Sequence, residues 1–186
     1  VVPALEPPKL LITGRPGVGK TTVVQRVAEE LKKRGIRVGG MLTFEERSSG
    51  RRVGFKVVDI RTGVESTLAS VYHKEGPRVG KYRVNTINLE RVGVAAIEEA
   101  LKTCDIVVCD EIGPMELYSD KFRAIVERML ESNKPVLATV HWRSAKWYEQ
   151  KYGRRVEIIH VTLENRNVLA KEILGKLLAY LEEQVR

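Results

Sequence analysis

The chain has 186 residues, 43% of them hydrophobic, enough for one compact domain over 1–186 and hardly for two. Its formal charge of +8 favours anionic partners such as nucleotides, RNA or acidic surfaces, although no long block of like charge appears and the same residues would serve to solvate a basic enzyme. Two cysteines, Cys104 and Cys109, exclude a disulfide framework, and no apolar run approaches the ~18 residues that span a bilayer.

These features predict a reduced, cytosolic protein with no membrane partner. Residues 1–9 carry three prolines and no long apolar region, which argues against a signal peptide. Glu, Lys and Arg are abundant and Gln is scarce, a balance found in thermophilic proteins.

In chain order, Leu10 to Thr13 is a short apolar run followed by glycine, predicting a buried parallel strand. Val23, Val27 and Leu31 then recur every four residues, marking a helix that closes on Lys32, Lys33 and Arg34 before Gly35. Three strand-like runs follow, Arg37 to Phe44, Arg52 to Ile60 and Val64 to Ser70, separated by turn residues. They predict an antiparallel insertion over about 37–70. Gly76-Pro77 opens a loop containing Arg78, Lys81 and Tyr82, and a helix is expected from about Glu90 to Lys102.

The run "DIVVCD", Asp105 to Asp110, reads as a second buried strand. Ser119 or Asp120 caps a helix that ends near Asn133. Pro135 to Val140 and Val156 to Thr162 complete the buried strands. Ser144 to Tyr152 is expected as a short helix and Arg166 to Glu183 as the closing one. This alternation predicts an α/β fold, mainly a parallel sheet with helices on both faces, whose ligand sits at the carboxyl ends of the strands.

Those strand ends carry the chemistry. "GRPGVGKTT", comprising Gly14, Arg15, Pro16, Gly17, Val18, Gly19, Lys20, Thr21 and Thr22, lies between the first strand and the first helix. Glycines let successive amides turn inward around an anion, and the helix adds its positive end. Lys20 supplies a mobile charge for the β- and γ-phosphates and Thr21 a hydroxyl for Mg²⁺. In "VVCDEIGPME", Asp110 at the strand tip is placed to hold Mg²⁺ opposite Thr21, and Glu111 to orient or deprotonate water. Glu116 reads as a helix-start acid.

"GRPGVGKTT" with "VVCDEIGPMEL" resembles the thermophilic nucleoside-triphosphatase family that includes the cancer-related nucleoside triphosphatase. "GGMLTFEERSSGRRVGFKVVDI", "GPRVGKY" and "LENRN" extend the likeness over nearly the whole chain. The resemblance implies a RecA-like P-loop fold and slow Mg²⁺-dependent hydrolysis of several nucleoside triphosphates, ATP, GTP, CTP, UTP and TTP, to diphosphates. It carries over Gly14 to Thr21 as the phosphate loop, and Asp110, Glu111, Ile112 and Gly113 as a second nucleotide-contacting segment.

Other assignments stay open. A cation at the γ-phosphate could come from Arg143 or Lys146, less readily from Arg154 or Arg155, and Arg15 could touch phosphate or face solvent. Arg166 or Asn167 stands where a base could lie, with Asn165 or Asn167 as a helix cap instead. His141 follows a strand at the active edge, and Trp142, Trp147, Tyr148 and Tyr152 could stack on a base or cover the core. Three functions fit. They are a monomeric nucleoside-triphosphate hydrolase, a nucleotide or small-molecule kinase with Arg78 and Lys81 at the acceptor, and a nucleotide-dependent RNA or single-stranded DNA binding module.

Overall fold

The structure, a computed structural model, describes residues 4–185. One nine-stranded sheet runs through it in the order β5-β6-β4-β3-β2-β7-β8-β1-β9. Here β1 is Lys9–Thr13, β2 Val38–Ser48, β3 Arg51–Asp59, β4 Glu65–Ser70, β5 Arg78–Val79, β6 Tyr82–Val84, β7 Ile106–Ile112, β8 Val136–Val140 and β9 Glu157–His160. The five strands from β2 to β9 along that order pair in parallel, and β3, β4, β6 and β5 extend the sheet antiparallel.

The helices are α1 (Lys20–Lys33), α2 (Thr86–Asn88), α3 (Ala95–Thr103), α4 (Asp120–Glu131), α5 (Ala145–Tyr152) and α6 (Arg166–Glu183). They lie on both faces, as expected for an α/β sheet of this type. Strand side chains alternate with period two, so a strand buried on both sides must be apolar throughout. Leu10 and Ile12 of β1, Ile106 and Val108 of β7 and Leu137 of β8 pack toward α1 and α6. Leu11, Val107, Cys109, Val136, Ala138 and Val140 pack toward α3, α4 and α5. Phe122 and Met129 of α4 are fully buried there, each contributing about 1.5–3 kcal/mol of transfer free energy.

One buried charge ties the start of β1 to the end of α4 and the turn into the neighbouring β8. Lys9 is buried, and its Nζ donates to the carbonyls of Met129 (3.2 Å), Ser132 (2.7 Å) and Lys134 and to Ser132 Oγ (3.1 Å). Burial pushes the ammonium down to about 8, but these acceptors at the C-terminus of α4 are the partners a cation prefers.

Several boundaries differ from the sequence expectation: β2 runs on to Ser48 rather than Phe44, β9 stops at His160 rather than Thr162, and three further differences bear on the site. The loop holding Arg78, Lys81 and Tyr82 is a small hairpin, β5–β6, so the antiparallel part reaches Val84 rather than ending near 70. Short polar runs carry little strand signal, and pairing with β4 is what fixes this hairpin. The helix expected from Glu90 begins at Thr86, because the Asn85 side chain accepts from the Asn88 amide (2.9 Å), and it passes through π turns over Leu89–Val94. Strand β7 runs on to Ile112 rather than ending at Asp110, so Glu111 lies within the strand as well.

Candidate active site

The strand order sets the order of groups along the carboxyl edge of the sheet. The loop after β1 lies beside β8 and then β7, which brings the two acids; β2 and β3 of the insertion come next. A single cavity of about 480 Å³ runs along this edge, lined at one end by Gly17, Gly19, Lys20 and Thr21, and also by Asp110, Glu111 and Glu116.

At the loop end, Gly17 and Gly19 have positive φ (77° and 105°), which only glycine adopts at little cost and which turns the chain into α1. No side chain caps α1 and no acidic residue lies in its first turn, so its amides and positive end are left for an anion. Lys20 Nζ folds back to donate to the carbonyls of Gly14 (2.8 Å) and Arg15 (3.3 Å). These are weak, reversible partners that an incoming phosphate would replace. Arg15 itself is exposed and Val18 is buried toward α1 and α6.

Asp110 is 1% exposed, and both of its oxygens are held. Oδ2 accepts from Thr21 Oγ1 (3.0 Å) and Oδ1 from Thr139 Oγ1 (2.5 Å). Burial, reinforced by neighbouring Glu111, raises its carboxyl to about 6 against the pull of those two hydroxyls. A buried carboxylate and a threonine hydroxyl in contact are a hard-oxygen donor set, the chemistry that suits Mg²⁺. Thr21 and Asp110 are therefore the residues that could hold the ion.

Glu111 is raised by burial, with the Lys20 ammonium pulling the other way. Beside it, Glu116 is 4% exposed and pushed well above the carboxylate range, first by burial and then by the charge of Glu111. Gly113 makes room for both. A Cβ there would come 2.4 Å from Glu111 Oε1 and 3.0 Å from Glu116 Oε2, so any side chain at 113 would displace the acids. Ile112 is buried in the core, and its carbonyl accepts from the His141 amide (3.2 Å).

The remaining assignments separate cleanly. His141 and Trp142 line the cavity, and burial, Arg143 and Lys20 all press the His141 imidazole toward its neutral form. Arg143 stacks over Trp142 (5.0 Å) but lines a different groove, with Arg123, Trp147, Tyr148 and Lys151 between α4 and α5. The structure does not bring it to the phosphate end. Arg166 does approach the loop. A Cβ on Gly19 would lie 3.5 Å from Arg166 Cδ, and Arg166 and Asn167 share a recess with Thr22 and Arg26. Asn165, not Asn167, serves the turn before α6, its side chain accepting from the Thr162 amide (2.8 Å). Arg78 is exposed and Lys81 stacks over Tyr82 (5.5 Å), both outside the cavity.

Sequence reasoning missed Thr139 and set Glu116 aside. A signal existed for the first: Thr139 is the polar residue in the buried run "VLATV", and a buried hydroxyl must find a partner. It also missed that Phe44, Arg52 and Phe55 of the insertion wall the same cavity, since nothing in a hairpin's own sequence says which loop it will face.

The likeness to known proteins agrees with this geometry. An NTPase family profile matches residues 9–174. The chain is similar to nucleoside-triphosphatase THEP1 of Thermofilum pendens, 51% identical over 171 residues covering 88% of this chain and 91% of that protein. It is likewise similar to nucleoside-triphosphatase THEP1 of Methanocaldococcus jannaschii, 46% identical over 94% of this chain and 99% of that one. Among solved structures, THEP1 of Aquifex aeolicus superposes with a TM-score of 0.78 at 35% identity, covering 91% of this chain and 98% of that chain. A human cancer-related nucleoside triphosphatase superposes with the same score at 33% identity, covering 92% and 98%. With its glycine loop, its threonine-bound aspartate and these relatives, the chain belongs to the NTPase family of nucleoside-triphosphatases, a family of P-loop hydrolases.

Proposed function

We propose that this chain is a Mg²⁺-dependent hydrolase of broad base tolerance, which converts ATP, GTP, CTP, UTP and TTP to the diphosphate and phosphate as a single-domain monomer. The contact of Thr21 Oγ1 with Asp110 Oδ2 at 3.0 Å carries this reading, because it joins the phosphate loop to the acidic strand across the space a polyphosphate would fill. Bound between these residues, Mg²⁺ would neutralise charge on the β- and γ-phosphates.

The side chains have distinct tasks. The amides of Gly17 to Thr22 and the start of α1 cradle the phosphates, and Lys20 leaves the Gly14 and Arg15 carbonyls to follow the charge that develops as the γ-phosphoryl group departs. Thr139 holds Asp110 so that its other oxygen faces Thr21. Glu111 accepts a proton from, and orients, the attacking water. Broad base tolerance fits the recess beside the loop. Arg166 and Asn167 are exposed there, and a guanidinium plane stacks on any base without reading its edges.

The test is phosphate release from the five triphosphates with Mg²⁺ and with excess chelator. Release from all five at rates within about tenfold, abolished by chelation, is the expected result. Strict dependence on one base, or turnover that survives chelation, would overturn it.

A further inference from the structure

We propose that the end of the catalytic cavity walled by the antiparallel strands is a phosphoryl-acceptor site for a small organic acid with an aromatic or apolar body and a hydroxyl group. The proposal rests on the reading above that the polyphosphate occupies the loop end.

The cavity extends past the phosphate loop and the two acids to residues of the antiparallel strands. The phosphate-binding residues Lys20 and Thr21 line one end, and Asp110 and Glu111 on β7 stand between them and the insertion in the order of the sheet. A triphosphate held with its γ-end at these acids sends its nucleoside the other way, toward Thr22 and the Arg166 recess on the β9 side. The β2–β3 end is then left facing the γ-phosphate on the side from which a nucleophile approaches Glu111.

Its walls do not suit water alone. Phe55 and Leu68 come from the insertion, Val79 from the small hairpin and Met115 from the segment after β7. Apolar surface left wet costs about 25 cal/mol per Å², which an apolar occupant recovers. Arg52 lines the same end with 44% of its side chain exposed. Its Nε donates to Tyr82 Oη (2.8 Å) and its Nη1 to Glu45 Oε1 (3.1 Å), while Nη2 donates to neither. Its guanidinium carbon sits 5.3 Å from the Phe55 ring centroid. Glu45 lines the cavity too and also takes Arg47 (2.8 Å), which stands outside it, so one carboxylate is divided between two guanidinium groups and neutralises Arg52 only in part. A rigidly held guanidinium with an unused nitrogen, next to an aromatic face, matches a carboxylate on an aromatic or apolar body.

The transfer balances without a further reactant. The acceptor hydroxyl oxygen bonds to the γ-phosphorus as the bond from that phosphorus to the β–γ bridging oxygen breaks. The nucleoside diphosphate leaves with the electron pair, and the hydroxyl proton passes to Glu111 and then to solvent. The products are a phosphomonoester and a diphosphate, with nothing oxidised or reduced.

The experiment incubates the full chain with Mg²⁺ and ATP, and with 4-(hydroxymethyl)benzoate, 4-hydroxyphenylacetate or the uncharged benzyl alcohol, while phosphorus NMR separates phosphomonoester from inorganic phosphate. Ester is expected from the carboxylates at the expense of phosphate, with a yield from benzyl alcohol lower by at least ~10-fold. Arg52→Gln should lower the ester-to-phosphate ratio by at least ~10-fold. Tyr82→Phe keeps the guanidinium and loses only its brace, so it should change the ratio less than ~3-fold. An equal loss in both variants would make Arg52 a strut and overturn the proposal. Phosphate without ester from every probe also overturns it and leaves hydrolysis standing. Ester without phosphate upholds the acceptor site and removes water as the normal acceptor, and neither product overturns both readings.

Discussion

The two halves of the sheet reach the same cavity by different physics. In the parallel half, β1, β7 and β8 are buried almost throughout and carry, at or near their ends, groups whose chemistry is written locally: a glycine loop, an acid pair and a threonine. In the antiparallel half, β3 and β4 are buried only in part, with ion pairs such as Lys56–Glu65 (2.9 Å) spread over solvent. The first half builds a charged site by burying a few polar groups deeply, which makes each of them costly to remove. The second half mixes exposed ion pairs with an apolar wall, so most single surface changes there are cheap, and it gives the site its shape and one guanidinium, Arg52.

That contrast can be broken by substitution. The largest effect is expected at Lys20, where alanine should lower turnover by at least ~10³-fold and also weaken nucleotide binding, read by phosphate release and calorimetry. Glu111→Gln should keep nucleotide affinity and lose at least ~10²-fold in kcat. Because burial raises Glu111 and its base form is the active one, the wild-type rate should fall as pH falls through a value above that of an ordinary glutamate. An acid limb at the ordinary value, or a fully active Gln variant, would remove Glu111 from its role.

Thr139→Val tests whether support beneath the site matters as much as the site. Losing the 2.5 Å bond to Asp110 should raise the Mg²⁺ requirement by roughly 10-fold, measured as the Mg²⁺ dependence of phosphate release. Lys9→Met should cost about 2–3 kcal/mol in urea unfolding, because it strands buried carbonyls at the end of α4. At the small end, Lys56→Ala in the antiparallel half should change stability by less than ~0.5 kcal/mol, as exposed ion pairs do. If Lys56→Ala proved as costly as Lys9→Met, the contrast between the halves would be wrong.

The boundary errors follow the same division. Strand β1, the end of helix α1 and helix α6 stand within a residue of where hydrophobic period and terminal residues put them, because these elements carry their own instructions. The β5–β6 hairpin and the π turns of Leu89–Val94 do not, since pairing with β4 and packing against Met41 and Val57 fix them from outside.

Taken alone, the amino-acid order determined the phosphate loop, the acid pair and the alternation that makes a parallel sheet. Each of these is local: glycines and a lysine at fixed spacing, acids at the end of an apolar run, apolar side chains at period two or 3.6. What tertiary structure decided is which distant groups meet. Thr139 reaches Asp110, Glu116 turns inward beside Glu111 where Gly113 leaves room, Arg143 goes to another groove, and Arg52 with Phe55 closes the cavity. Those meetings depend on strand order, and strand order is chosen by the burial of whole faces rather than by any short stretch of chain.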